Sequence, residues 1–239
     1  MVNTQLNPKA VYSLRASPGE TERLHRQADE LLVANSALVD RTMLGPGDAA
    51  IDFGCGPRGI LDLLSSRVGP QGRVVGVDAD PNHVALASDL VARRSLDNVE
   101  VLLADARDTG LPSAAFDVTQ TRTLLVTIPR PDEVVREMVR VTNPGGWVLS
   151  FEPDAGPESG LVDVQVESRA DSYPAGHTRR TIRLDLLRAV RAQLVELGLC
   201  TDAEFDGLLA AAGAHLDNPA TVVLPHFWFL VSGRKRNGR

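Results

Sequence analysis

The stretch "AAIDFGCGPRGILDLL", residues 49–64, runs from an apolar segment ending at Asp52 into a glycine turn and out into a helical pattern. Gly54-Cys55-Gly56-Pro57-Arg58-Gly59 satisfies G-x-G-x-x-G, a turn whose glycines let the backbone approach a nucleotide closely. The pattern alone does not choose between a nicotinamide dinucleotide and another nucleoside cofactor.

Outward from this turn the chain alternates. "DAAIDF" (48–53), "RVVGVD" (73–78), "VEVLLAD" (99–105), "FDVTQT" (116–121) and "GWVLSFEP" (146–153) read as buried strands. "RGILDLLSSRV" (58–68), "PNHVALASDLVARRS" (81–95) and "RPDEVVREMVRVT" (130–142) read as helices between them. The order predicts an α/β fold, a doubly wound and mostly parallel sheet with helices on both faces. Upstream, Ser17-Pro18-Gly19-Glu20 reads as a helix start, and 20–44 as a helix with Leu24, Ala28, Leu31 and Leu32 on one face, stopped by Gly45-Pro46-Gly47. Downstream, 161–168 and 226–234 read as strands, 181–199 as helical, and 201–216 as a helix opened by the capping box of Thr201 and Glu204. Residues 1–44 are expected to form a helical arm or lid, and 45–239 the main domain.

The 239 residues carry a net charge of -6 and only 4% aromatics, which argues against a nucleic-acid surface. The two cysteines, Cys55 and Cys200, form no metal or disulfide pattern. No apolar run is long enough for a membrane span, and the expectation is a cytoplasmic protein with a small-molecule partner, able to form homo-oligomers.

In an open parallel sheet, ligands bind at the carboxyl ends of the strands. The second strand ends at Asp78, 24 residues after Gly54, where a carboxylate takes ribose hydroxyls. Asp52, two residues before Gly54, would repel a pyrophosphate but suits the sulfonium and amino group of S-adenosylmethionine. It also suits a simpler role, accepting backbone donors in the turn. Asp105 ends the third strand, placed for an adenine amino group, and Pro144-Gly145-Gly146-Trp147 leads into the fifth.

With these pieces in order, "IDFGCGPRG", "VVGVDADPNHVALA", "NVEVLLADARDTGLPSAAFDV" and "EMVRVTNPGGWVLSFEPD", the stretch 48–154 resembles class I S-adenosylmethionine-dependent methyltransferases of the ubiquinone/menaquinone and small-molecule type. The N-terminal segment resembles the lid helix of actinobacterial natural-product members. The resemblance implies a seven-stranded sheet with its last strand antiparallel, and methyl transfer from S-adenosylmethionine to a small molecule. It places Gly54, Cys55 and Gly56 at the methionine part of the cofactor, Asp78 and Ala79 at the ribose, Asp105 and Ala106 at the adenine, Arg122 beside the cofactor, and Gln27 at its carboxylate. Two departures stand out. Arg58 replaces a glycine common in the family, with Gly59 one place later. Only 154–160 separates strand five from the next, where the family has a cap and a crossover helix; a parallel crossover needs about a dozen residues or more. Either the next strand is antiparallel to its neighbour or the cap is missing. A methyltransferase-like protein with a non-methylating role, such as cyclisation or regulation, is the alternative, and a nicotinamide oxidoreductase a third.

For chemistry, His177 and Glu152 are the catalytic candidates, as substrate-contacting groups or bases. His177 lies in a polar turn before a helix, and Glu152 ends strand five. Arg179 and Arg180 suit an anionic substrate or a helix cap. Tyr12 suits either closing over the cofactor or packing the N-terminal arm. His83 and His215 read as helix-surface residues, His25 as a lid-helix residue, and His226 as structural.

Overall fold

A computed structural model describes residues 18–153, 161–170, 172–222 and 227–236; among residues 18–20, 169 and 227 only the backbone is considered. Ser17, Tyr12 and His226 lie outside the described residues. The elements run α1 (Pro18–Asp40), β1 (Ala49–Phe53), α2 (Leu61–Val68), β2 (Arg73–Asp78), α3 (Pro81–Arg93), β3 (Val99–Leu103), β4 (Phe116–Arg122), α4 (Pro131–Val141), β5 (Thr142–Glu152), β6 (Val162–Ala170), α5 (Thr178–Glu196), α6 (Asp202–Asp217) and β7 (Phe227–Arg234).

The strands form one seven-stranded sheet in the order β3-β2-β1-β4-β5-β7-β6. The first five are parallel, and β7 runs antiparallel to both β5 and β6. Strand alternation divides the core in two. Ala50, Val74, Val118, Leu149 and Phe151 point to the layer of Leu31 and Leu38 from α1 and Leu61 and Leu64 from α2. Ile51, Phe53, Val75, Val77 and Val148 point to Val134, Val135, Met138 and Val141 of α4. Each Val, Leu, Ile, Phe or Met among them contributes roughly 1.5–3 kcal/mol by leaving water.

Two local expectations need correction. In α1 the buried stripe is Ala28, Leu31, Ala34 and Leu38, while Leu32 is 37% exposed. The fifth strand starts directly after α4, because Thr142 pairs with Phe116 ahead of a register shift, so Asn143–Gly146 belong to the strand rather than to a turn before it. Of the two readings of the short connection at 154–160, the antiparallel pairing is found with β7, while β6 runs parallel to β5 itself. β6 is antiparallel to its neighbour β7 and lies at the sheet edge, two places from β5. The helical pair α5–α6 lies between β6 and β7, as the order of the segments predicts.

The displaced glycine has a steric reason. Gly59 has φ +58, and a Cβ there would lie 2.2 Å from Asp52 Oδ2. Arg58 points elsewhere: its guanidinium meets Asp29 of α1 at 2.6 Å and Asp62 of α2 at 3.6 Å, tying the N-terminal helix to the glycine turn. Gly59→Ala combines left-handed strain with displacement of a buried carboxylate, a cost of roughly 3 kcal/mol. Urea unfolding at pH 7 checks it; a loss under about 1 kcal/mol would mean the turn relaxes freely.

Candidate active site

A cavity of about 340 Å³ lies at the carboxyl ends of the first four strands. Gly54, Gly56, Asp78, Ala79, Asp105, Ala106 and Arg122 all line it. Strand ends put them there: Gly54 follows β1, Asp78 closes β2, Asp105 follows β3 and Arg122 closes β4. Gly56 has φ +59 and nothing within 4 Å of where a Cβ would stand, so a ligand can approach the bare backbone. Asp78 is locked in place. Its Oδ2 accepts from the Gly56 N–H at 2.8 Å and its Oδ1 from the Asp80 N–H at 2.9 Å. Each oxygen keeps a second lone pair for a ligand hydroxyl. Asp105 is clamped by Arg107, whose Nε donates to Oδ1 at 2.9 Å and Nη2 to Oδ2 at 2.6 Å. These hydrogen bonds hold its carboxyl below the usual carboxylate range.

Residues 51–150 match the family described as "methyltransferase domain". That stretch, less than half of the chain, is similar to a methyltransferase domain. A demethylmenaquinone methyltransferase of Bacillus cytotoxicus is 33% identical over 107 residues, covering 45% of this chain and 45% of that enzyme, so the chain matches less than half the length of this relative. Two solved structures share the fold. A SAM-dependent methyltransferase from Aquifex aeolicus superimposes with TM-score 0.54 and 24% identity over 65% of this chain and 92% of its own. The cyclase SpnF superimposes with TM-score 0.56 and 20% identity over 84% of this chain and 80% of its own.

Other sequence candidates stand behind the cavity wall. Asp52 is 2% exposed; its Oδ2 accepts from the Ile60 N–H at 2.9 Å, and Gln120 of β4 donates to its Oδ1. It therefore braces the glycine turn. Burial pushes its carboxyl up to about 6, against the pull of the Ile60 N–H. Cys55 is buried, its N–H bonded to Val77 O at 3.0 Å, and burial pushes its thiol up. Gln27 is buried beside Arg23, and α1 presents Leu24 to the cavity instead. His177 caps α5, its Nδ1 accepting from the Arg179 N–H at 3.1 Å, with its ring 4.6 Å from that of Tyr173. It is not on the wall.

Glu152 is 1% exposed at the end of β5. Its Oε1 accepts from the Leu124 N–H at 3.0 Å, while Oε2 is buried without a partner. Burial pushes this carboxyl up to about 7, against the N–H groups of Leu125, Leu124 and Val126 and the charge of Arg122. Burial pulls Arg122 below its ordinary value, with Asp52 opposing; its Nη1 is buried and unpartnered.

Sequence reasoning missed several groups. His83, read as a surface residue, is 5% exposed and lines the cavity, its Nδ1 3.5 Å from Asp78 Oδ1. Gln120 and Arg107 were not singled out; Gln120 is legible only from its register opposite Asp52. Among the described residues, no cluster of His, Cys, Asp and Glu could hold a metal, and no helix is long and apolar enough to cross a membrane.

The two raised carboxyls make stability depend on pH. Both hold protons in the fold that the unfolded chain releases, Asp52 between 3.8 and about 6 and Glu152 between 4.5 and about 7. Their stabilisation is present below these windows and lost as pH rises through them. For Glu152 the loss between pH 5 and pH 8 is roughly 2–3 kcal/mol. Denaturant unfolding of wild type and Glu152→Gln at both pH values should differ by that amount; equal pH dependence in the two proteins would contradict it.

Proposed function

We propose that the protein transfers a methyl group from S-adenosylmethionine to a small-molecule acceptor, as in secondary metabolism. The observation that carries this reading is Asp78: a carboxylate pinned by the glycine-turn N–H of Gly56 at the edge of the cavity, where the ribose of a nucleoside is expected. The other lining groups suit the same ligand. Asp105 and Ala106 stand one strand further out, at the adenine end. Arg122, with its unpartnered Nη1, suits the methionine carboxylate at the other.

When bound, S-adenosylmethionine supplies a methyl group already activated on a sulfonium, so the protein's work is alignment and exclusion of water. Asp78 accepts the ribose hydroxyls, and Gly54 and Gly56 leave room at the backbone. α1 serves as a lid, contributing Leu24, and is held to the glycine turn by Arg58 and Asp29. Glu152 takes the acceptor's proton at Oε2, the oxygen its own fold leaves unbonded. The structural likeness to a cyclase supports a second reading, in which the cofactor is kept but no methyl group moves. Incubation with methyl-labelled S-adenosylmethionine and a panel of acceptors separates the two: labelled product with S-adenosylhomocysteine is expected, whereas binding without turnover across the panel would favour the second.

A further inference from the structure

The carboxyl edge of the sheet has two halves. Gly54, Asp78 and Asp105 follow or close β1, β2 and β3, whereas Glu152 closes β5 and Trp228 stands near the start of β7. Glu152 pairs in register with Phe229, the residue after Trp228. Over the Trp228 ring, 5.8 Å from its centre, lies the guanidinium of Arg179, delivered by the first turn of α5.

Arg179 is 2% exposed, and its neighbour Arg180 is 4% exposed, yet they are used differently. Arg180 donates to the carbonyls of Leu216, Tyr173, Asn218 and Thr221, binding α5 to the end of α6. Arg179 meets the carboxylate of Glu30 of α1, with Nε nearest, and none of its three guanidinium nitrogens has a partner in hydrogen-bond geometry. Its terminal nitrogens, Nη1 and Nη2, are buried with no hydrogen-bond partner. A buried guanidinium with two idle donors is a costly arrangement that a planar or tetrahedral oxyanion would complete.

Glu30 already marks where such a group can sit. It lies on the lid helix with its side chain 26% exposed, and it lines a cavity of about 250 Å³ together with Leu31, Phe151, Tyr173 and Trp228. Two of Arg179's partners, Glu30 and Trp228, thus face open space with aromatic and apolar walls. Arg122 adds positive charge nearby, since Arg179 is among the groups that depress its proton affinity.

We propose that Arg179 anchors an oxyanion of the acceptor, exchanging Glu30 for it, so that the acceptor is a small acid with an aromatic or apolar body, a carboxylate or a phosphomonoester. This rests on the methyl-transfer reading above. The acid is held at the β5–β7 half of the edge, next to Glu152, while the cofactor fills the β1–β4 half. Glu30 acts as an internal stand-in that the ligand displaces.

Calorimetric titration of matched probes tests it: 4-hydroxybenzoate against 4-hydroxybenzamide, and phenyl phosphate against phenol, each with and without S-adenosylhomocysteine. One or both acids should bind at least about tenfold more tightly than the neutral partner. The pair that discriminates more strongly tells carboxylate from phosphate. Arg179→Met should erase the preference, and Glu30→Gln, which removes the internal competitor, should strengthen acid binding. A merely structural ion pair would make the two variants act alike. No acid preference in either pair, its survival in Arg179→Met, or weaker acid binding in Glu30→Gln would overturn the proposal. Because Glu30 is partly exposed, its variant remains informative if Arg179→Met does not fold. Failure of S-adenosylhomocysteine itself to bind would instead strike the methyl-transfer reading, with the acid preference judged separately.

Discussion

Glu152→Gln is expected to lower the rate of methyl transfer about a thousandfold, the middle of the range for loss of a positioned general base. The substitution is nearly isosteric, and the amide oxygen can still accept from the Leu124 N–H. What disappears is the proton acceptor at Oε2. The pH profile carries the sharper signature. A base must be unprotonated to act, and the wild-type carboxyl is raised to about 7, so the wild-type rate should climb through neutral pH and level off above it. The variant should show a low, flat profile over the same range. Stopped assays with methyl-labelled cofactor, from pH 5.5 to about 8.5, would show this. A variant that keeps both its rate and its neutral inflection would remove Glu152 from the chemistry and leave it as a support for the 124–126 turn.

Asp78→Ala is expected to weaken S-adenosylmethionine binding by about a hundredfold or more. Two hydrogen bonds from ribose hydroxyls to a carboxylate are lost, each contributing roughly 1.5–3 kcal/mol. The Gly56 N–H also loses its acceptor, so the turn meant to receive the ligand loosens at the same time. Asp78→Asn keeps the shape but replaces one acceptor with a donor, and should recover part of the loss. Calorimetry on the three proteins measures it directly. An alanine variant within about threefold of wild type would mean that the ribose lies elsewhere.

The parts of this site visible in the sequence are those fixed by a strand's end. A parallel strand buried on both faces is an apolar run, and its last residue must emerge at the ligand edge. Asp78 and Asp105 are legible in this way, whereas Arg122 and the glycines of the turn are expected at the ligand only through the family resemblance; all of them line the cavity. Asp52 and Cys55 show the limit of this logic. Both flank the same turn, but Asp52 turns in to the Ile60 N–H and Gln120, and Cys55 packs against Val77's strand, so neither reaches the wall. The choice depends on the β1–β4 register, which no local pattern encodes. The same holds for Arg107, whose clamp on Asp105 needs only a two-residue step but depends on how the chain turns after β3.

Long-range contacts were the least legible. The helices α5 and α6 were readable from periodicity and from the Thr201 capping box, which is present with both of its hydrogen bonds. The place of β6 at the sheet edge follows from sheet order, and the burial of Arg179 follows from α1 packing against α5. His83 is similar: its helix was clear, but its burial beside Asp78 depends on how α3 lies on the sheet. Arg58 looked like a defect in a familiar turn. In three dimensions it links α1 to the turn, and Gly59 supplies the space that the Asp52 carboxylate needs.

The most direct test of the central claim is calorimetric titration of the wild-type protein with S-adenosylhomocysteine, with reduced nicotinamide dinucleotide as a parallel control. The site built by Gly54, Gly56, Asp78 and Asp105 should bind the first with micromolar affinity at a single site and leave the second unbound. Binding of the dinucleotide, or of neither ligand, would contradict the assignment of this glycine turn to a methyl donor.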